Sequence, residues 1–241
     1  VLFFVGKVIY DLSHRKIDVR SELVKKDNLA FALANTGYYI GLLLAIGSAI
    51  IGPSHGLWAD LIDIGVYGLL AILLLNISSY INDKVILNKF SITKEIVEDQ
   101  NPGTGIVEAA NLVASGLIIM GAVSGSGKSF FPGLPFGLLY SGIITAVVFW
   151  SVGQVVLIIA GLYFNLITPY NVHEHIEKDN TAVGVGFAGA LIAFGILISH
   201  GVSGDFSSWG DHFMKILTEL LIGLALLPIV RLITDKILLP G

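Results

Sequence analysis

The chain lacks cysteine and has few charged residues, and each shortage narrows what it can be. Without cysteine, it has no disulfide, thiol nucleophile or thiolate metal site. Charged residues make up 13% of its 241 residues, whereas a soluble domain carries roughly 25%. The formal net charge of -4 gives no sign of the basic surface that nucleic acid requires. A soluble fold and a nucleic-acid partner are therefore not expected.

Long apolar runs dominate instead. Hydrophobic residues form 54% of the chain, and a helix needs roughly 20 of them to cross hydrocarbon at ~1.5 Å per residue. A partial span ends near Leu12, and further spans cover 28–51, 57–87, 101–123, 134–167, 180–202 and 209–239. The sequence predicts an all-α, polytopic transmembrane helical bundle.

Two kinds of span alternate along the chain. The first, third, fifth and seventh are long and rich in Leu, Ile and Val, and the others are shorter and rich in Gly and Ala. The second and sixth match at a constant offset that pairs Asn28 with Asn180 and Gly37 with Gly189, and a weaker copy starts at Asn101. Each unit is thus a long helix plus a small-residue helix. Because each unit crosses the membrane twice, successive units enter it in the same orientation, so the units are parallel repeats.

The predicted domains follow from these units. Residues 1–123 form a first membrane repeat of two units with a partial first helix, and 134–241 form a second with three of four helices. An eighth, small-residue span is expected to follow Gly241 in the complete protein. Lys and Arg concentrate in the loops from long to small-residue helices, as at Arg15, Lys26, Lys94 and Lys178, which predicts that these loops are cytoplasmic.

A motif precedes each small-residue helix on the predicted cytoplasmic side: an acidic residue, then Asp four or five positions later, then Asn near the helix start. Its three copies are Glu22, Asp27, Asn28; Glu95, Asp99, Asn101; and Glu174, Asp179, Asn180. The Asp-Asn pair is typical of a helix N-cap, with ion or headgroup contact as the alternative. The segments 19–25, 92–97 and 172–176 predict amphipathic turns on the membrane interface. Alternatively, their carboxylates form a cation-selecting ring at a pore mouth.

Polar residues within the spans mark a second candidate site. An ionised side chain at mid-membrane costs about 2.5 to 3.5 kcal/mol on insertion scales. Glu108 shares a helix face with Asn111 and occupies the position of Asn35 in the first unit, whereas Phe187 replaces it in the third. Glu219, in the last span, is a further candidate. Either a protonated carboxyl bonded to Asn or a proton or cation relay accounts for this pattern.

Small residues recur at spacings of three and four, as at Ala30, Ala34, Gly37 and Gly41. Such a stripe lets helix backbones approach closely in lipid. The small-residue helices are therefore expected to form an inner layer, with the long helices as a rim. Asp60 and Asp63 are expected at the outer interface, where solvation is their role.

The stretch ITPYNVHEHIEKDNTAVGVGFAGALIAFGILIS, with degenerate copies at 27–28 and 99–101, resembles the bacterial "domain of unknown function 350" membrane proteins. The resemblance covers nearly the whole chain as two tandem copies with the last helix absent, and Pro102 departs from the pattern. It implies a multi-pass protein of the bacterial inner (plasma) membrane without established biochemistry. Its relatives lie in gene neighbourhoods linked to membrane stress and polyamine metabolism.

Two functions stay open. The first is a channel or transporter for a cation or small cationic solute, with Glu108, Asn111, Asn35 and Glu219 as the polar path. The alternative is a non-transporting membrane-stress scaffold that recruits a peripheral partner at the cytoplasmic face. No enzyme, cofactor or metal site is expected: the SGSGKS run at 124–129 lacks the P-loop glycine, since Ala122 stands there. Besides the lipid bilayer, a homo-oligomer and a peripheral membrane-stress protein are the partners left open.

Overall fold

The computed structural model describes residues 1–15, 17–50, 56–85, 92–125 and 127–233, apart from the side chain of Asp83. Long helices form because a chain in hydrocarbon must satisfy each backbone N–H and C=O within its own segment. The α-helices in these residues, long and short, are α1 (Leu2–Ser13), α2 (Leu29–Ile50), α3 (Leu57–Val85), α4 (Ile92–Val97), α5 (Pro102–Val123), α6 (Gly137–Ile167), α7 (Val172–Glu177), α8 (Thr181–Val202) and α9 (Trp209–Ile233). A π-helical turn, Ser21–Lys25, lies between α1 and α2.

The all-α, polytopic prediction is confirmed. Within the described ranges, α2, α3, α5, α6, α8 and α9 are each long and apolar enough to cross a membrane, so the chain is a multi-pass protein of a lipid bilayer. The predicted spans that start near 28, 101 and 180 coincide with α2, α5 and α8 to within a few residues. The predicted ends at positions 51, 87 and 239 lie outside the described residues.

The three small-residue helices form a row in the order α2, α5, α8, and these neighbours are the most extensively packed pairs. Glycine makes this possible at Gly195, where an added Cβ would lie 2.7 Å from Ala114 Cα. Along one interface Gly184 contacts Gly103 and, further on, Gly195 contacts Ala114. Because the residue numbers of the contacting residues rise together in the two helices, α5 and α8 run parallel, as the repeat predicts.

The long helices α1, α3, α6 and α9 form a second row. α3 packs against both α2 and α5, α6 packs against both α5 and α8, and α3 and α6 contact each other, so both lie on one face of the first row. On the other face of α5, Ile106, Val113, Leu117 and Met120 are partly exposed. The described long helices therefore line one face of the small-residue helices, in contrast to the predicted rim.

Candidate functional site

The Asn residues that begin the small-residue helices cap them in the same way. The Oδ1 atoms of Asn28, Asn101 and Asn180 accept the backbone N–H three residues further on, at 3.0, 3.2 and 3.3 Å. A helix N-terminus leaves such N–H groups without an intrahelical partner. All three units therefore have the cap that their Asp-Asn pattern predicts.

The residue before each Asn adopts a left-handed backbone conformation, with φ of 50° at Asp27, 55° at Gln100 and 62° at Asp179. Asp is one of the non-glycine residues that tolerate this region best. In the middle unit Gln100 takes the position, and Asp99 lies one residue earlier. The backbone conformation before the Asn is therefore the same in all three units, although the Asp of the second copy lies one residue earlier.

The Asn amide groups also join neighbouring units. Asn28 Nδ2 donates to Glu22 Oε2 at 3.0 Å and to the Ile96 carbonyl of the next unit at 2.8 Å. Asn101 Nδ2 likewise donates to Glu95 Oε2 at 3.1 Å and to the Ile176 carbonyl at 2.6 Å. We call each such pair of bonds a clasp. The clasps hold the interfacial segments in a line along the basic end of the bundle.

The third unit departs from this arrangement. Asn101 is fully buried, whereas Asn180 is exposed and makes its cap bond. Within the described part of the chain no group accepts a hydrogen bond from Asn180 Nδ2. Asn180 therefore caps α8 without forming a clasp.

The three motif carboxylates differ in their surroundings. Glu22 and Glu95 are buried, at 4% and 5% exposure, whereas 55% of the Glu174 side chain is exposed. Lys26 lies 2.6 Å from Glu22, and Lys178 lies 2.6 Å from Glu174. The structure thus places only one of these three carboxylates at the surface. A cation-selecting ring at a pore mouth would need all three to be exposed.

The middle unit lacks the lysine that the other two share. Asp99 stands four residues after Glu95, where Lys26 follows Glu22, and it pairs with Lys94 at 3.0 Å. Burial raises the pKa of the Glu95 carboxyl above its usual range, the charge of Asp99 adds to this rise, and the Asn101 hydrogen bond offsets part of it.

Glu22 shows the opposite shift. Burial favours its protonated form, but hydrogen bonds from Lys26 and Asn28 hold the pKa of the Glu22 carboxyl below its usual range. Equivalent carboxylates in successive units therefore have opposite protonation tendencies.

Inside the bundle, Glu108, Asn111 and Ser115 lie along one face of α5, at positions i, i+3 and i+7, and all three are buried. Ser79 of α3 donates to Glu108 Oε1 at 3.4 Å, and Asn82 of α3 donates to Ser115 Oγ at 3.2 Å. This face therefore points into the second row of helices.

Gln154 of α6 completes the group, since its Nε2 donates to Ser115 Oγ at 3.4 Å. We call Glu108, Asn111, Ser115, Asn82 and Gln154 the polar file. Three of its members, Asn82, Ser115 and Gln154, are absent from the predicted polar path. The helical phase of Glu108 and Asn111 would have identified Ser115.

Several polar atoms of the file have no hydrogen-bond partner among the described residues. They include both amide atoms of Asn111 and the Oδ1 atom of Asn82, and both residues are fully buried. A buried polar atom left unpaired costs about 1 to 3 kcal/mol. Such groups in a native structure point to an unseen water or ion, or to a functional role.

A small cavity of about 50 Å³ reaches Glu108 from the basic end. Tyr10, His14, Ser79 and Thr93 contribute polar groups to its wall. Since one water needs ~10–15 Å³ of such space, the cavity has room for about three to five waters. Glu108 therefore has a polar cavity beside it in the interior of the bundle.

The other two predicted path residues lie apart from the file. Asn35 is buried in α2, and its Oδ1 has no hydrogen-bond partner in the described part of the chain. Glu219 Oε1 lies 2.7 Å from His200 Nδ1, near the far end of α8. His200 is the twentieth residue of α8 and Glu108 the seventh of α5, which separates their levels by about 20 Å along the parallel helices. Glu219 and Glu108 therefore do not share one site.

The sequence model of the family described as "Domain of Unknown Function (DUF350)" matches residues 1–123 and 138–241, as two tandem copies. The chain is similar to the "UPF0719 transmembrane protein" of Aquifex aeolicus (strain VF5). The two are 25% identical over 208 residues, which cover 85% of this chain and 71% of that protein. No solved structure matches the chain.

Proposed function

We propose that this chain, which belongs to the DUF350 family, binds and passes a cation or small cationic solute along the polar file. The carrying observation is Asn111, which is fully buried with both amide atoms unpaired within the described residues. Hydrocarbon offers no water to satisfy such atoms. A transient ion with its hydration water would supply the missing partners, and Glu108 would supply the compensating charge.

The small cavity supports entry from the basic end, because it places space for water directly beside Glu108. Beyond Ser115, the side chains of Ile118 and Ile119 are fully buried. They close the interior between the file and the opposite end of the bundle. Passage therefore requires a movement that opens this apolar section.

The charge distribution supports an orientation. Lys26, Lys94 and Lys178 lie at the end where the interfacial segments lie, and positive residues in short loops favour the cytoplasmic side. We therefore assign this end to the cytoplasm and the protein to the bacterial inner membrane. The small cavity then opens toward the cytoplasm.

Flux through reconstituted protein tests the proposal. Purified protein in liposomes should pass K⁺, protons or methylammonium faster than empty vesicles. Glu108→Gln keeps the size of the side chain but removes its ionisation, and it should lower the flux at least tenfold and remove its pH dependence. Glu219→Gln is the matched control, because it makes the same change about 20 Å away along the bundle.

Two results would count against the proposal. One is wild-type flux equal to that of empty vesicles for all three ions. The other is equal flux through Glu108→Gln and wild-type protein when both elute as the same folded species. An equal loss in both Gln variants would place the effect on the bundle as a whole and not on the file.

The closed interior also favours the competing function, a scaffold that recruits a peripheral partner at the basic end. Glu22 and Glu95 are occupied in clasps, so the exposed Glu174 is the motif carboxylate that a partner could contact. Under this function Glu174→Lys abolishes co-purification of the partner, and Glu22→Lys acts only by disturbing the fold. A partner that remains bound to Glu174→Lys would contradict it.

A further inference from the structure

His14 and Glu108 are two titratable side chains that line the same small cavity. His14 follows α1 at the basic end of the bundle and is partly buried, whereas Glu108 is buried in α5. Because the cavity has room for about three to five waters, a chain of no more than that many waters separates the imidazole from the carboxyl group. The cavity therefore places a partly exposed imidazole within a few waters of the polar file.

Two contacts with the preceding turn of α1 fix the position of the His14 ring. Its Nδ1 atom lies 3.0 Å from the Tyr10 carbonyl oxygen, and since a carbonyl oxygen only accepts, Nδ1 carries the hydrogen and donates. The ring centroids of His14 and Tyr10 lie 4.3 Å apart, and Tyr10 is itself buried. In the neutral ring Nε2 is then the acceptor. Nε2 is therefore the atom at which the imidazole takes up and releases a proton near neutral pH.

The rest of the described lining is uncharged. α2, α3 and α4 contribute only uncharged side chains to it, so its titratable groups are His14, Tyr10 and Glu108. A tyrosine hydroxyl keeps its proton near neutral pH and, like the hydroxyls of Ser79 and Thr93, offers hydrogen bonds to water. Proton exchange across the cavity therefore runs between His14 and Glu108.

The chemistry of this pair decides which cation fits. Zn²⁺ at a catalytic site takes three protein ligands, and the described residues contain no group of three His, Cys, Asp or Glu that could hold a metal ion. Larger cations need a path as wide as themselves, whereas a proton passes along waters and titratable side chains, as in the Asp, Glu and His relays of membrane pumps. We propose that the cation passed by the polar file is the proton and that His14 loads it onto Glu108.

The loading step conserves every proton. The His14 imidazolium gives the hydrogen on Nε2 to a cavity water, and that water gives one of its own hydrogens to the Glu108 carboxylate. The neutral imidazole then takes a proton from water at the basic end, so that one proton has moved from that water to Glu108. This inference rests on the proposed function, since it names the cation and the residue by which it enters.

Proton flux into liposomes that hold the full chain tests the inference, with a pH-sensitive dye inside the vesicles. A K⁺ diffusion potential set with valinomycin drives the protons at equal pH on both sides, so both orientations of the protein contribute. Wild-type protein should pass protons faster than empty vesicles. K⁺, measured without valinomycin, and methylammonium should cross no faster than they cross empty vesicles.

Two histidine variants locate the point of entry. His14→Asn keeps a donor for the Tyr10 carbonyl but removes the titrating nitrogen, and it should lower proton flux at least about tenfold, as the loss of an acid–base group does. Wild-type flux should level off toward about pH 5, where an imidazole is fully protonated, whereas the residual flux of His14→Asn should keep rising with proton concentration. His212→Asn is the matched control and should behave like wild type. Its Nδ1 also donates to a carbonyl four residues earlier, that of Ser208 at 3.3 Å, and His212 lies outside the lining of the small cavity.

Proton flux equal to that of empty vesicles would overturn the inference. K⁺ or methylammonium flux through the same vesicles would then show that the proposed function stands without it. Unchanged proton flux through folded His14→Asn would also overturn it, as would an equal loss in His14→Asn and His212→Asn. If His14→Asn does not fold, the comparison of the three ions and the pH profile of the wild-type protein decide.

Discussion

The clasp at Asn101 can be measured against an internal control, because Asn180 has the same cap without the bond between units. Asn101→Ala removes a cap worth about 1 kcal/mol. It also leaves the Glu95 carboxylate and the Ile176 carbonyl without their amide donor, at about 1 to 3 kcal/mol for each buried group. We expect Asn101→Ala to lower the free energy of unfolding by about 3 kcal/mol or more, and Asn180→Ala by about 1 kcal/mol.

Urea unfolding in mixed micelles measures the two losses, and hydrogen exchange at the first amides of α5 and α8 locates them. Asn101→Asp separates the two contributions, because it keeps an oxygen for the cap but removes the amide donor of the clasp. It should therefore keep the cap and still lose about 2 kcal/mol or more from the clasp, because its second oxygen faces the Glu95 carboxyl and the Ile176 carbonyl without an N–H to donate, whereas Asn180→Asp should leave stability nearly unchanged. Equal losses for Asn101→Ala and Asn180→Ala would refute the clasp as a source of stability.

Two further matched changes test the middle unit and the row. Because the pKa of Glu95 is raised, the folded state holds the proton of the Glu95 carboxyl more tightly than the unfolded chain does. Stability from this group therefore falls as pH rises from the ordinary Glu value toward the raised one. Asp99→Lys should lower the pKa of Glu95 and remove this fall, and an unchanged slope of the urea midpoint against pH would contradict this. Gly195→Ala should separate α5 from α8 and destabilise the protein, since its Cβ would lie 2.7 Å from Ala114 Cα. Gly186→Ala meets no atom within 4 Å and should be neutral or stabilising by up to about 1 kcal/mol through helix propensity; thermal unfolding compares the two.

The sequence was sufficient for the helices and their caps. A run such as 101–123 matches Pro102–Val123 because length and hydropathy decide a membrane span locally. The Asn caps were predictable for the same reason, since a cap bonds an N–H three residues away. The side of the row on which α3 and α6 pack was not predictable, because apolar composition alone does not distinguish a face that contacts protein from one that contacts lipid.

The clasps and the file required the fold. Asn101 Nδ2 reaches a carbonyl 75 residues away, and no spacing rule predicts such a pair. Asn82 lies directly before Asp83 and Lys84, where polar residues are common at the end of a span, and its role becomes apparent only when α3 packs beside Ser115. The cavity of about 1080 Å³ at the end of the bundle opposite the clasps likewise depends on where five helix ends stop relative to one another.

The position occupied by Glu108 connects the repeat to the chemistry. In the first unit it is Asn35 and in the third Phe187, which packs against Phe164 at a ring distance of 5.2 Å. α5 has a protein helix on each side, whereas α8 presents Gly186 to open space within the described structure. An ionisable group near hydrocarbon is costly unless protein surrounds it. The side chains at all three equivalent positions are buried, but Glu108 has in addition the Ser79 hydroxyl as a donor and the small cavity beside it, which explains why one unit of a repeated structure carries the candidate site.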